Sequence, residues 1–106
     1  MIYKVRVLER AQNDVDGILR WLLERSPSGA ARWHAAFMSA SATLANDPHR
    51  FALASERPAL DRDVRERLFK TPRGRRYRIV FTIVGQEVRI LRVRGPGQPP
   101  LEASDL

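Results

Sequence analysis

Apolar and polar residues in the first half of the chain follow the patterns of one strand and two helices. Residues 2–8 alternate between the two classes, which predicts a β-strand. Across residues 11–25 the apolar positions recur at helical spacing, which predicts an amphipathic helix. Ser26 and Pro27 supply an N-cap and a first-turn proline, so we expect a second helix, antiparallel to the first, that ends at residues 46–48. The predicted buried face of this helix comprises Ala30, Trp33, Phe37, Ser41 and Leu44.

The second half of the chain has the pattern of three strands joined by turns. Residues 48–63 are irregular and are interpreted as a loop, whereas residues 64–70 alternate as a strand. A turn at residues 71–74 leads into a long hairpin at residues 76–94. Its two-residue loop begins with Gly85, as expected for a turn that favours glycine first.

The expected hairpin register divides its side chains between two faces. If Val84 pairs with Glu87, one face is mostly apolar, includes Arg92, and should bury against the helices. The opposite face mixes apolar and basic side chains, and no other sequence element is left to cover it. We therefore predict an open interaction surface. Its residues are Arg78, Val80, Thr82, Arg89, Leu91 and Val93, and Arg94 lies at the end of the hairpin.

These elements predict an α+β fold: an N-terminal strand, an antiparallel helical hairpin and a three-stranded antiparallel meander, with the helices packed on one face of the sheet. Residues 1–106 form one domain, with a flexible tail at 95–106. The chain contains no cysteine, and its two histidines, His34 and His49, show no metal-ligand spacing, so no metal or cofactor is expected. With no apolar run long enough to span a membrane and no leader-like N-terminus, the sequence predicts a cytoplasmic protein.

Positive charge is concentrated in one part of the sequence. The formal net charge is +7, and residues 57–94 hold 12 basic against 4 acidic residues, a local excess of +8. Arginine, which pairs bidentately with carboxylate or phosphate, makes up 17 of the 19 basic residues. This asymmetry predicts a polyanionic partner, either nucleic acid or an acidic polypeptide.

Several further residues have more than one plausible role. Glu56 is interpreted as a salt-bridge anchor for an arginine of the meander, and Tyr77 as a packing residue. Asp14 is expected to be a surface charge of the first helix. Trp21 and Trp33 are expected to pack between the two helices.

Taken in order, the segments resemble the RelE/ParE superfamily of bacterial type II toxins, in particular the ParE-like and plasmid stabilisation proteins. The resemblance covers nearly the whole chain. The matching segments are residues 30–33, 44–48, 54–56, 64–66, 68–69, 77–81 and 90–94.

The resemblance implies a growth-inhibiting toxin that is neutralised by an acidic antitoxin, with a heterotetramer as one form of the complex. The antitoxin would contact the hairpin surface through Arg78, Val80, Thr82, Arg89, Leu91, Val93 and Arg94. ParE-like relatives act on DNA gyrase, whereas RelE-like relatives cleave mRNA on the ribosome. The alternatives to a gyrase toxin are therefore a ribosome-dependent endonuclease and a non-toxic binding relative.

For the nuclease alternative, the candidate catalytic residues are Arg65, Arg67, Lys70 and Arg78. The chain departs from the RelE pattern after Arg94, where Gly95 begins a Gly-Pro segment and no tyrosine or histidine follows. RNA cleavage needs a proton acceptor and a proton donor, and arginine is a poor proton shuttle. We therefore expect the hairpin to bind rather than to cut.

Overall fold

The computed structural model describes residues 2–56 and 63–106. Part of the predicted loop at 48–63 therefore lies outside the described residues. The elements, in chain order, are β1 (Lys4–Val7), α1 (Glu9–Leu23), α2 (Pro27–Thr43), a 3-10 turn (Pro48–Arg50), β2 (Arg65–Phe69), β3 (Tyr77–Val84), β4 (Glu87–Arg94) and a second 3-10 turn (Ala103–Asp105). The predicted α+β class and the order of the elements are confirmed.

The joint between the two helices is built as the sequence predicts. The Ser26 hydroxyl accepts a hydrogen bond from the Gly29 backbone N–H at 3.0 Å, and Pro27 occupies the first position of α2. Together they satisfy one backbone donor and remove another, which is what a helix N-terminus requires. The Ser26 backbone N–H in turn donates to the Leu22 carbonyl at 2.7 Å, closing the end of α1.

The sheet is mixed rather than wholly antiparallel. Its strand order is β1-β4-β3-β2, in which β2, β3 and β4 form the predicted antiparallel meander. β1 lies at the edge beside β4 and runs parallel to it, with Val5 opposite Val88. The alternation that identifies a strand says nothing about its partner, so this pairing was not predictable from the pattern.

A β-bulge changes the register of the hairpin part of the way along. Near the turn, where Gly85 adopts a φ of 61°, the predicted pairs are present, including Phe81 with Ile90. Beyond the shift between Val80 and Phe81, Ile79 pairs with Val93 instead of Arg92. One extra residue in β4 exchanges the faces beyond it, so the predicted face assignment of Arg92 and Val93 is wrong.

The helices cover one face of the sheet and enclose the larger hydrophobic core. Its aromatic centre is Trp33, which stacks on Phe37 at a centroid distance of 5.7 Å and also contacts Phe69 and Tyr77. The packing role predicted for Tyr77 is confirmed, and Trp33 is buried, with its aromatic ring contacts in α2, β2 and β3 and not in α1. Trp21, however, is 52% exposed and lies beneath the Arg25 guanidinium, so its predicted place between the helices is wrong.

The opposite face of the sheet, which the sequence predicted to be open, is covered. Val80, Thr82 and Leu91 are each at most 7% exposed. The C-terminal segment, expected to be a flexible tail, contributes Leu101, which is 2% exposed and belongs to a second hydrophobic cluster. Burial of this side chain favours packing of the segment on the sheet. The cluster comprises Ala54, Val64, Val80, Leu91 and Leu101, with Leu8 and Leu106 packed against it.

No helix in the described part of the chain is both long and apolar enough to cross a membrane.

Candidate functional site

Arg78, the central residue of the predicted interaction surface, is held between two carboxylates. Its Nη1 donates to Glu56 Oε1 at 2.9 Å and to Glu66 Oε1 at 3.1 Å, and its Nη2 contacts Glu56 Oε2. The Arg78 side chain is 19% exposed and that of Glu56 is 5% exposed. The predicted role of Glu56 as an anchor for an arginine of the meander is confirmed.

Glu56 also connects this ion pair to the C-terminal segment. The Leu101 backbone N–H donates to Glu56 Oε2 at 3.1 Å. Hydrogen bonds from the Arg78 side chain, opposed by burial, lower the pKa of the Glu56 carboxyl to about 2, and the same pairing raises the pKa of Arg78. Both groups are therefore charged at neutral pH, and Glu56 is too weak a base to accept a proton efficiently there.

Arg92 has a carboxylate partner of its own in α1. Its Nε and Nη2 donate to the two Asp14 carboxylate oxygens at 2.8 and 2.9 Å, and the Val93 backbone N–H donates to the same carboxylate at 2.9 Å. Asp14 is therefore a structural anchor 78 residues away in the chain, not the free surface charge that was predicted. The side chains of Arg92 and Asp14 are 17% and 16% exposed. Arg92 also donates to the Asp105 carbonyl at 2.8 Å, a second attachment of the C-terminal segment.

The other two hairpin arginines differ in exposure. Arg94 is 9% exposed and donates to the Pro99 carbonyl at 2.8 Å. The Arg89 side chain is 40% exposed and donates to Glu87 at 2.6 Å. This bond lowers the pKa of Glu87, with Arg6 adding to the effect. Arg89 is thus the most accessible arginine among the predicted binding residues.

The remaining candidate nuclease residues are not assembled as a catalytic group. Arg65 donates to the Phe51 carbonyl at 2.7 Å, and Arg67 donates to the Thr43 hydroxyl at 3.3 Å. Arg65 therefore fastens β2 to the segment that follows α2, and Arg67 fastens it to the last residue of α2. Lys70 is exposed just beyond the end of β2.

The turn between β2 and β3 carries a group of exposed cations, of which only Lys70 was predicted to be functional from the sequence. We call Lys70, Arg73, Arg75 and Arg76 the cationic turn. All four are exposed, and none has a carboxylate partner within residues 2–56 and 63–106. A signal was present in the sequence, because residues 70–76 hold four basic residues and no acidic one.

Residues 71–74 form one wall of a cleft of about 560 Å³, and the start of α2 forms the other, so that Arg73 is the member of the cationic turn in its lining. Gly74 permits the tight turn, since a Cβ there would lie 2.1 Å from the Thr71 hydroxyl oxygen. Arg32 projects from α2 into the same lining as Arg73. The full lining is Leu22, Ser26, Gly29, Arg32, Trp33, Thr71, Pro72, Arg73, Gly74 and Tyr77.

The fold is shared with a solved chain from a toxin–antitoxin system. A chain of the chromosomal ParDE toxin–antitoxin system from P. aeruginosa superposes with a TM-score of 0.67 at 20% identity, covering 89% of this chain and 96% of that chain. A chain of the RelBE2 toxin–antitoxin complex from Mycobacterium tuberculosis is 24% identical, covering 90% of this chain and 99% of that one, with a TM-score of 0.49. No match was found among curated proteins.

The family model for the ParE toxin of the type II toxin–antitoxin system parDE matches residues 5–98. Because this match spans most of the sequence, the chain belongs to the ParE toxin family. The predicted resemblance to the RelE/ParE superfamily is confirmed.

Proposed function

We propose that this toxin arrests growth by inhibiting DNA gyrase and that it does not cleave RNA. Membership in the ParE family supports the gyrase target. The observation that carries the proposal is the state of Arg78, whose guanidinium is enclosed by Glu56 and Glu66. An arginine held in this way stabilises the fold and is not directed towards a substrate phosphate.

The chemistry of the surrounding groups also argues against a nuclease. A general base works best when its pKa lies near the operating pH, whereas the pKa of Glu56 is about 2. Arg65 and Arg67 are bonded to groups of the fold, and a guanidinium does not release its proton at neutral pH. Glu56, Arg65 and Arg67 are therefore unsuited to accept the proton that cleavage at a 2′-hydroxyl releases.

The proposed partner is an acidic antitoxin in the cytoplasm. The P. aeruginosa chain of similar fold comes from a toxin–antitoxin system, and the charge of +7 on this chain is complementary to an acidic polypeptide. Among the predicted contact residues, Arg89 is directly accessible. Val80 and Leu91 lie beneath Leu101, so an antitoxin segment would reach them only after displacing residues 99–106.

Induced expression with separate measurement of DNA, RNA and protein synthesis tests the target. We expect DNA synthesis to stop first, with intact mRNA and an SOS response. In a supercoiling assay, the purified chain should inhibit gyrase, and the same chain premixed with its antitoxin should not. Early translation arrest with mRNA cuts would overturn the proposal in favour of the endonuclease. Unimpaired growth would identify a non-toxic binding relative.

The antitoxin contact is tested by replacing Arg89 with alanine. We expect binding of the antitoxin encoded beside this chain to weaken about tenfold, the range for a charge at the edge of an interface. The matched control is Arg20→Ala, which removes an exposed arginine of α1. Equal affinities for the two variants would exclude Arg89 from the interface.

A further inference from the structure

The cationic turn differs from the carboxylate-paired arginines of the hairpin strands. Arg78, Arg89 and Arg92 each have a carboxylate within hydrogen-bonding distance. The four cations at residues 70–76 have none within the described residues, although like charges so close together repel one another. Unbalanced charge of this kind is available to an external anion.

The polar side chains that line the cleft beside the turn are mainly hydrogen-bond donors, although most of the lining is apolar. Arg32 and Arg73 stand on its two walls, and its lining contains no carboxylate. Ser26 and Thr71 add hydroxyl groups. Trp33, also part of the lining, is 3% exposed, and its Nε1–H has no acceptor within the described part of the chain. A buried donor without an acceptor is unfavourable, and the lining of the cleft beside this indole holds no carboxylate that could accept from it.

We propose that the cationic turn and its cleft form a binding surface for the phosphodiester backbone of a nucleic acid. One phosphate enters the cleft between Arg32 and Arg73. Lys70, Arg75 and Arg76 contact the neighbouring phosphates along the strand. This activity does not depend on gyrase being the toxin's target, because it concerns a different surface from the hairpin face.

The character of the turn favours phosphates over an acidic protein segment. An acidic amphipathic helix binds through an apolar stripe as well as through its charges. The four side chains of the cationic turn are exposed and charged. The aromatic residues beside the turn offer little surface to an apolar partner, because Trp33 is buried and Tyr77 is half-buried against Phe69. Four closely spaced cations with no carboxylate partner within the described residues match a chain of repeating phosphates.

The direct test is fluorescence anisotropy with labelled single-stranded DNA, single-stranded RNA and duplex DNA of about 20 nucleotides. Arg75→Gln with Arg76→Gln should weaken binding about tenfold or more at about 0.1 M salt. The slope of log K against log salt concentration should fall by about one for each cation removed. Comparing the three oligonucleotides identifies which kind of strand the surface prefers.

The matched control is Lys4→Gln with Arg20→Gln, which removes the same two charges from exposed positions in β1 and α1. A similar loss of affinity in both double variants would mean that only net charge matters and would overturn the proposal. So would the absence of binding below about 100 µM at low salt, or equally tight binding of polyglutamate.

The cleft itself is tested by Arg32→Gln and by the fluorescence of Trp33 in a Trp21→Phe background. We expect weaker oligonucleotide binding in the first variant and a change in Trp33 emission on binding in the second. Thermal unfolding of each variant checks that the fold is retained. If Arg32→Gln leaves the affinity unchanged and Trp33 emission does not change on binding, no phosphate enters the cleft.

Discussion

The hairpin strands and the cationic turn are both rich in arginine, yet they use the residue in opposite ways. In the hairpin, Arg78 and Arg92 are mostly buried and each is paired with a carboxylate. In the turn, Arg73, Arg75 and Arg76 are exposed and have no such partner within the described residues. The sequence alone suggested the opposite, because it predicted that the arginines of the hairpin form the binding surface.

The difference follows from the cost of removing charge from water. A guanidinium buried without a partner is strongly unfavourable, so the folded chain supplies Glu56 for Arg78 and Asp14 for Arg92. An arginine on an exposed turn keeps its hydration and needs no partner. Burial therefore identifies structural arginines, and exposure without a carboxylate identifies those available for a ligand.

The largest expected effect is on the buried pair. Glu56→Ala removes the main partner of Arg78 and the acceptor for the Leu101 N–H, and should lower the free energy of unfolding by about 3–5 kcal/mol. Urea denaturation measures this change. Glu24→Ala, which breaks a bridge whose carboxylate side chain is 70% exposed, should cost less than about 1 kcal/mol. If both variants lower the free energy of unfolding by similar small amounts, the buried pair does not stabilise the fold.

Lowering the pH should weaken the same ion pair without any mutation. The pKa of Glu56 is lowered from 4.5 to about 2, so its contribution is fully present above pH 4.5 and is lost as the pH falls towards 2. The shift corresponds to about 3 kcal/mol. We expect the stability difference between the wild type and Glu56→Gln to shrink by this amount between neutral pH and pH 2. A constant difference across this range would contradict the assignment.

Covering the hairpin face depends on the C-terminal segment. Leu101→Ala should lower the free energy of unfolding by about 2–3 kcal/mol, because the side chain is 2% exposed and leaves a cavity over Val80 and Leu91. Met38→Ala is the matched control: Met38 is 55% exposed, and the change expected is within about 0.5 kcal/mol. If Leu101→Ala lowers the free energy of unfolding as little as Met38→Ala does, the C-terminal segment does not stabilise the covering of this face.

The smallest effect on stability should come from the cationic turn. Arg75→Gln with Arg76→Gln is expected to change the free energy of unfolding by less than about 0.5 kcal/mol, because neither side chain has a partner within the described residues. Parallel denaturation curves for this variant and the wild type check the expectation. A marked destabilisation would place these arginines in the same structural class as Arg78.

Much of the architecture follows from short-range patterns. The periodicity of apolar residues predicted both helices and all four strands, and Ser26 with Pro27 predicted the start of α2. Glu56 was also correctly expected to anchor an arginine of the meander. The candidate site was less predictable, since the pattern placed Val80 and Leu91 on an open surface that the structure closes, and placed Val93 on the same surface although it lies in the core beneath the helices.

The sequence by itself therefore determined the elements, the apolar face of α2 and membership in a toxin family. Local periodicity and capping are encoded by neighbouring residues, so they can be recognised without knowing the fold. Only the tertiary structure decided that β1 pairs with β4, that a bulge exchanges the faces of Arg92 and Val93, and which arginines meet a carboxylate. These outcomes depend on contacts between distant residues, such as Asp14 with Arg92, which form only after the chain has brought its elements together.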